Sequence, residues 1–243
     1  MKYRVGGAVL LLVVGVVLLT FVVRGHLSQH PSRSRAEQQQ GASDEPEHMA
    51  VRQITMTLDD KGFLLRLARQ TIEEVITTGR MPEIGSAGLS NSLTEPKGCF
   101  VTLDKDGELR GCIGHIFPQE PLYRAVMDNA RSAALEDPRF RPVQAEELTS
   151  IEIEISVLTF PQLLRFDSPE DLLRKLRPHV DGVVLKIGLR QATFLPQVWE
   201  QLPDKETFLA HLAAKAGLPP TAWRNPGTQV LTYQVDAFKE SEM

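Results

Sequence analysis

The segment around Cys112 has the most unusual residue pattern in the sequence. Gly111 and Gly114 flank this cysteine within a run that otherwise reads as a β-strand. Glycine weakens strands, so glycines there favour a bulge or a close approach of another group to the backbone, and they leave the thiol accessible. A thiol beside a cation has a lowered pKa and becomes a nucleophile. Cys112 is therefore a candidate catalytic residue.

Two basic residues lie near Cys112 in sequence. Arg110 is a candidate catalytic partner of the thiol, although its position does not require it to contact the sulfur. His115 lies three positions on, and we expect it to approach the thiol only if the strand bends at Gly114. The alternative interpretation is that Cys112 is a small buried hydrophobic residue, which is the more common role of a single strand cysteine. The spacing leaves both interpretations open.

A second cysteine, Cys99, opens a redox alternative. If Leu103 pairs with Glu108 across a four-residue turn, Cys99 lies directly opposite Cys112, with Cβ atoms about 4.5–5.5 Å apart. Such a pair can form a disulfide after some backbone adjustment. A three-residue turn places the two cysteines on opposite faces instead, so the disulfide hypothesis depends on the register.

Charged residues elsewhere are candidates for a substrate or partner pocket. Glu152 and Glu154 share one face of a predicted strand, where paired carboxylates act as acid and base or form a solvated face. The turn with Asp137 and Arg139 either lines a site for an anionic ligand or forms local ion pairs. The six histidines show no metal-ligand spacing, so no metal site is predicted. The predicted pocket residues are Gly111, Gly114, His115, Asp137, Arg139 and Glu154.

The elements that must hold these residues are short helices and strands in mixed order. Two strand-like runs, 99–103 and 109–113, surround an Asp-Gly turn and predict a hairpin. Apolar periodicity and capping residues predict helices at 58–78, 121–136, from 168 and at 204–216, and strands at 151–157, 182–187, 192–195 and 229–235. Because regular βαβ alternation is absent, an α+β fold with antiparallel sheets is favoured over a doubly wound one.

The N-terminal segment has a different character. An uninterrupted apolar run from Val5 to Val23 would form a helix of roughly 28 Å, close to the thickness of the hydrocarbon core of a bilayer. A cleaved signal peptide, the alternative, has an apolar region of about 7–15 residues and a small-residue cleavage site. Residues 1–24 are therefore predicted to be a single transmembrane signal-anchor helix. Basic residues on both flanks nearly balance, and they slightly favour an external globular domain.

Residues 25–54 are rich in Ser, Gln, Pro and acidic residues, which predicts a disordered linker, and residues 55–240 are predicted to form the folded domain. The chain has 243 residues and is 42% hydrophobic, enough for one domain with its own core. Its net charge of −4 argues against nucleic acid as a partner, because phosphate binding requires a basic surface.

Several motifs in order along the chain resemble the AMMECR domain family, also called system protein A of the AmmeMemoRadiSam set. The most specific is Leu109–Gly114. The others are 99–103, 133–140, 153–158, 181–183, 194–199 and 215–219. The resemblance covers about residues 58–240. It implies a compact α+β domain of two unequal lobes, with antiparallel sheets and flanking helices and with Leu109–Gly114 near the junction of the lobes.

The resemblance also carries partners and site residues. Bacterial members are associated with a Memo-like protein, itself similar to extradiol dioxygenases, and with a radical S-adenosylmethionine enzyme. The family implies no settled activity and no known cofactor. Arg110, Cys112, Asp137 and Arg139 carry over as candidate site residues. Cysteine is not usual at position 99, and a membrane anchor is not usual for this generally soluble domain, so neither feature is inherited.

Two functions remain open from the sequence. The first is a membrane-anchored, Cys112-dependent enzyme that acts on a small organic substrate with Memo-like and radical S-adenosylmethionine partners. The second is a non-catalytic protein-binding or scaffold domain at the membrane. The enzyme hypothesis predicts that Cys112→Ser abolishes function without loss of stability, whereas the scaffold hypothesis predicts that this substitution is tolerated.

Overall fold

Residues 56–243 fold around two separate four-stranded antiparallel sheets. The computed structural model describes residues 56–243. The helices are α1 (Leu58–Thr78), α2 (Asn91–Thr94), α3 (Leu122–Leu135), α4 (Pro169–Lys175) and α5 (Lys205–Lys215). The strands are β1 (Cys99–Lys105), β2 (Glu108–His115), β3 (Ile151–Leu158), β4 (Gln162–Leu164), β5 (Gly182–Ile187), β6 (Arg190–Phe194), β7 (Gln229–Tyr233) and β8 (Val235–Lys239). The predicted α+β class with antiparallel sheets is confirmed.

The first sheet has the strand order β2-β1-β3-β8 and is covered on one face by α1 and α3. Alternate residues of β1 and β3 face these helices, because side chains alternate between the two faces of a strand. Helix α1 begins at Thr57, whose side chain forms a reciprocal capping box with Asp60, and ends at Gly79 in the left-handed conformation, with φ of 72°. These local signals explain why the predicted bounds of α1 match the structure.

The second sheet has the strand order β4-β7-β5-β6 and packs against α4 and α5. The Trp199 indole stacks on the Phe208 ring at 3.6 Å between centroids, and its Nε1 donates a hydrogen bond to the Asp181 carbonyl at 2.7 Å. Burial of these two aromatic side chains contributes several kcal/mol to this core. They fix α5 against the sheet.

The chain crosses between the sheets at two adjacent points. Thr159 N–H donates to the Gln234 carbonyl at 3.0 Å, and Gln234 N–H donates to the Thr159 hydroxyl at 2.9 Å. Residues 159–234 form the second lobe, and residues 56–158 with 235–243 form the first. Because the chain changes sheets at Gln234, the single strand predicted at 229–235 is wrong: it is two strands, β7 and β8.

The predicted membrane anchor and the predicted linker both lie outside the described residues. Between residues 56 and 243, no helix is long and apolar enough to cross a bilayer. The anchor at residues 1–24 and the disordered linker at 25–54 therefore stay predictions.

Candidate functional site

The hairpin of β1 and β2 places the two cysteines on opposite faces of the first sheet. Cys112 lies opposite Thr102, and Cys99 lies opposite His115. The turn contains only Asp106 and Gly107, both with positive φ, whereas a bridge between the cysteines needs a four-residue turn. Both cysteines are free. The Cys99–Cys112 disulfide hypothesis is therefore wrong, and Cys99 is a buried core residue facing the helices.

The two glycines beside Cys112 are explained by close contacts within the protein. A Cβ atom on Gly111 would lie 2.3 Å from the carbonyl oxygen of Ala133 in α3. A Cβ atom on Gly114 would lie 2.3 Å from the Cys99 carbonyl oxygen and 2.5 Å from the Phe100 ring. Any side chain at these positions would overlap atoms that have no room to move. The backbone approach expected at these glycines thus comes from α3 and Phe100.

Asp137 and Arg139 hold the outer edge of β2 at Cys112. The Asp137 carboxylate accepts a hydrogen bond from Cys112 N–H at 2.9 Å, and Arg139 Nη2 donates to the Cys112 carbonyl at 3.2 Å. The two side chains also pair with each other, with 2.6 Å between Arg139 Nη2 and Asp137 Oδ2. They replace the neighbouring strand that this edge lacks. The turn therefore fixes the backbone that carries the thiol.

Arg110 lies in a β-bulge, and its side chain binds Glu147. Leu103 pairs with Gly111 and the next residue pairs with Leu109, so Arg110 is the extra residue of β2. Its guanidinium binds both carboxylate oxygens of Glu147, at 3.0 and 2.9 Å. The hydrogen bonds from Arg110 are the main cause that lowers the pKa of Glu147 to about 2. The structure thus places Arg110 in an ion pair.

His115 lies on the helix side of the sheet. The register of β1 and β2 continues without a shift through Gly114, so the strand does not bend His115 towards Cys112. Burial lowers the pKa of the imidazole, and its Nε2 has no hydrogen-bond partner within the described part of the chain. The structure does not bring His115 and the Cys112 thiol together.

Glu154 shares the outer face of the sheet with Cys112. Thr102 lies between them, since it is opposite Cys112 on one side and opposite Glu154 on the other. Burial raises the pKa of the Glu154 carboxyl, and the nearby Asp104 raises it further, while Lys239 lowers it. A carboxyl with a raised pKa exchanges protons more readily near neutral pH. Its neighbour Glu152 instead binds Ser241 N–H at 3.2 Å.

Lys215, the last residue of α5, is the residue of this region that sequence reasoning missed. Its Nζ donates a hydrogen bond to the Thr193 carbonyl at 3.0 Å and lies 5.1 Å from the centroid of the Phe194 ring. Burial lowers the pKa of Lys215 to about 8; Cys112 and Arg139 are close enough to act on it, the first raising and the second lowering it. The only signal in the sequence was its place in the 215–219 motif.

The protonation state of the Cys112 thiol is decided by burial. Burial raises the pKa of the thiol, Asp137 and Glu154 add to that effect, and the Thr102 hydroxyl and Arg139 oppose it. The Thr102 hydroxyl donates to Sγ at 3.3 Å. The thiol is therefore protonated at neutral pH despite the adjacent guanidinium. We call Cys112, Thr102, Arg139, Glu154 and Lys215 the interlobe site.

The interlobe site combines a thiol, a carboxyl with a raised pKa and cations from both lobes. It is suited to a small anion that also reacts with a nucleophile. A groove of about 480 Å³ lies elsewhere, in the second lobe beside Trp223, and contains no cysteine, histidine or lysine. Among residues 56–243, no group of three or more His, Cys, Asp or Glu side chains is placed to hold a metal ion.

Comparison with known proteins gives concordant results. The model of the AMMECR1 family matches residues 65–238. A protein of Methanopyrus kandleri is 40% identical over 191 residues, covering 77% of this chain and 91% of the relative. A protein of Methanosarcina acetivorans is 42% identical over 181 residues, covering 73% and 90%. The crystal structure of an uncharacterized protein from Pyrococcus horikoshii has a TM-score of 0.68 at 40% identity, covering 73% of this chain and 90% of that one.

Proposed function

Because this chain belongs to the AMMECR1 family, and its motifs converge on the interlobe site, we propose that it is a thiol-dependent enzyme acting on a small organic anion. One observation carries the proposal: Arg139 of the first lobe donates a hydrogen bond to the Cys112 carbonyl at 3.2 Å, and Cys112 in turn raises the pKa of Lys215, which belongs to the second lobe. Cations from separate lobes beside a thiol form an arrangement that attracts an anion to a nucleophile.

Each residue of the interlobe site has a distinct task in this proposal. Cys112 is the nucleophile: its S–H proton passes to the Glu154 carboxylate, and the sulfur adds to a carbonyl carbon of the substrate, whose C–O π bond opens as the C–S bond forms. Glu154 is the acid–base group, because its raised pKa lies closer to neutral pH than that of an exposed carboxyl. Arg139 and Lys215 attract the negative charge of the substrate. Asp137 positions Cys112 and Arg139 through its hydrogen bonds to both.

Alkylation with a charged and a neutral reagent tests this function. We expect iodoacetate, relative to iodoacetamide, to react with Cys112 roughly three- to ten-fold better in the folded chain than in the urea-unfolded chain, because the cations attract the carboxylate. Peptide mass spectrometry separates Cys112 from Cys99. Lys215→Gln should remove most of this preference. Arg110→Gln is the matched control, because its guanidinium is held by Glu147, and it should leave the preference unchanged.

If the ratio of the iodoacetate rate to the iodoacetamide rate at Cys112 is the same in the folded and unfolded chains, the cations do not attract an anion to the thiol. That result would favour the second candidate function. That candidate is a non-catalytic protein-binding or scaffold domain at the membrane. Two observations support it: burial keeps the Cys112 thiol protonated, and Gly111 and Gly114 are already explained by internal packing. Under it, Cys112→Ser keeps both the fold and the biological function.

We also propose that residues 1–24 anchor the protein in a membrane, with the globular domain outside, on the strength of the apolar run from Val5 to Val23. The full chain should sediment with membranes and resist extraction by high salt and carbonate, and a chain lacking residues 1–24 should be recovered in the supernatant. Release of the full chain by carbonate alone would rule out a spanning helix.

The proposed partners are a Memo-like protein and a radical S-adenosylmethionine enzyme, and the support for them is the family resemblance alone. Affinity purification of the full chain from the membrane fraction should enrich these two proteins over a purification from cells that lack the chain, as measured by mass spectrometry. If the same purification recovers equal amounts of the two proteins from cells that lack this chain, they are not its partners.

A further inference from the structure

We propose that a pocket between the two lobes binds an uncharged ligand, one that carries a carboxamide or a similar donor–acceptor pair on a small flat ring. The pocket has a volume of about 290 Å³. Its polar side chains are those of His179 and Gln197 in the second lobe and of Gln234 where the chain crosses between the lobes. None of the five residues of the interlobe site lines this pocket, so the inference is independent of the proposed thiol chemistry.

The three polar side chains of the pocket are available to a ligand. None of them has a hydrogen-bond partner among residues 56–243. Gln234 bonds to Thr159 only through its backbone N–H and carbonyl, and these bonds fix the backbone that carries the free amide. A carboxamide side chain offers both donors and an acceptor. The pocket can therefore bind a polar ligand without breaking any hydrogen bond of the fold.

The backbone at His179 is held in a conformation that few residues adopt. Its φ is 63°, in the left-handed region, and Asp106 is the only other non-glycine residue with positive φ in the described part of the chain. The buried Asp181 carboxylate maintains the turn by accepting hydrogen bonds from Arg177 N–H at 2.9 Å and from Arg177 Nη2 at 2.6 Å. Such conformations persist where the surrounding structure enforces them, and they cluster at ligand-binding sites.

Two sequence motifs to which the proposed function gives no role border this pocket. Motif 181–183 directly follows His179 and Val180, and Gln197 belongs to motif 194–199. Trp199 joins the two motifs, because its Nε1 donates to the Asp181 carbonyl at 2.7 Å. This hydrogen bond fixes the His179 turn relative to the segment that carries Gln197, which is the rigidity that a binding site requires.

The lining of the pocket favours an uncharged ligand. No Lys, Arg, Asp or Glu side chain lines it, so a charged group would lose water without gaining a counter-charge. Val180, Pro196 and Val235 supply apolar surface beside the amides. Pockets for drug-sized ligands have volumes of about 300–1,000 Å³, so this smaller one suits a single ring with one substituent. Nicotinamide has these features and is therefore the probe.

Saturation-transfer difference NMR on the full-length chain tests this proposal at pH 8, where free imidazole is uncharged. Nicotinamide should bind with a Kd on the order of 1 mM. Benzamide, which keeps the carboxamide, should displace it. Nicotinate, which has a carboxylate on the same ring, should not displace it, because the pocket offers that charge no partner.

Three variants locate the binding. Gln197→Ala should raise the Kd for nicotinamide about five- to tenfold, whereas Gln201→Ala should leave it unchanged, because Gln201 is exposed and outside the pocket. His179→Gly should also weaken binding and keep the melting temperature within about 2 °C of the parent or above it, because glycine adopts positive φ without strain.

Three results would each overturn the proposal: no nicotinamide signal up to about 10 mM, displacement of nicotinamide by nicotinate, or equal Kd values for Gln197→Ala and Gln201→Ala. The proposed thiol enzyme is tested separately, by the alkylation ratio at Cys112. Cys112→Ser should therefore bind nicotinamide as the parent does, and a loss of binding in this variant would contradict a pocket that excludes Cys112.

Discussion

Replacement of Gly111 by alanine is expected to lower the free energy of unfolding by about 3 kcal/mol. The added methyl group would lie 2.3 Å from the Ala133 carbonyl oxygen, well inside van der Waals contact. Relief of this steric overlap requires α3 to move away from β2. Helix α3 carries the fully buried Leu122, Val126 and Ala130 of the first core. The cost is therefore shared by the whole lobe.

The matched control for this substitution is Gly85→Ala. A Cβ atom at Gly85 meets nothing within 4 Å, so the change should be within about 0.5 kcal/mol of neutral. Urea unfolding should be followed by circular dichroism as well as fluorescence, because Trp199 and Trp223 both lie in the second lobe and report only on it. A Gly111→Ala protein as stable as Gly85→Ala would show that α3 does not approach β2 so closely.

The hairpin shows how far the sequence determines this fold. The two strands and their Asp-Gly turn were predictable, because alternating apolar residues and a turn pair are local signals. The register was not, because it depends on a two-residue turn and on the bulge at Arg110, and each shifts the pairing. Because the predicted register of the hairpin was wrong, Cys99 was expected opposite Cys112, whereas it lies on the other face of the sheet.

The interlobe site was predictable only in part. Cys112, Asp137 and Arg139 are brought together as the motifs suggested, because the turn after α3 lies against the β2 edge. Lys215 comes from a different lobe, and no local pattern shows which helix end faces the thiol. The direction of the Cys112 pKa shift was also not predictable from the sequence, because burial raises this pKa while Arg139 lowers it. The extent of burial is known only once the lobes are assembled.

Asp137→Asn should have two separate effects: it should lower the stability of the fold and increase the reactivity of the Cys112 thiol. The Asp137 carboxylate belongs to a residue that is only 4% exposed, and it accepts hydrogen bonds from Cys112 N–H and from three nitrogens of Arg139. An amide cannot accept all of these, and it leaves the guanidinium without its counter-charge. We expect a loss of about 3 kcal/mol, in the range found when one partner of a buried ion pair is removed.

The pH dependence of this loss has a defined sign. Burial alone would raise the pKa of Asp137, but hydrogen bonds from Arg139 and Cys112 outweigh burial and hold the pKa below its ordinary value. The carboxylate therefore stabilises the fold above the unfolded-state pKa of about 3.9, and this contribution disappears as the pH falls through the lower folded-state value. The stability difference between the parent and Asp137→Asn should be constant near neutral pH and shrink in acid.

The second effect of Asp137→Asn is on the thiol, because Asp137 raises the pKa of Cys112 and Arg139 lowers it. Asp137→Asn removes the first charge and keeps the second, so the pKa of the thiol should fall and iodoacetamide should label Cys112 several-fold faster at pH 7. Cys99 is the control within the same molecule, since burial raises its pKa to about 12 and keeps it unlabelled while the lobe is folded. Faster labelling of both cysteines would mean that the lobe has opened. Faster labelling of Cys112 alone would establish that the Asp137 carboxylate restrains the thiol in the intact protein, and an unchanged Cys112 rate would contradict that electrostatic coupling.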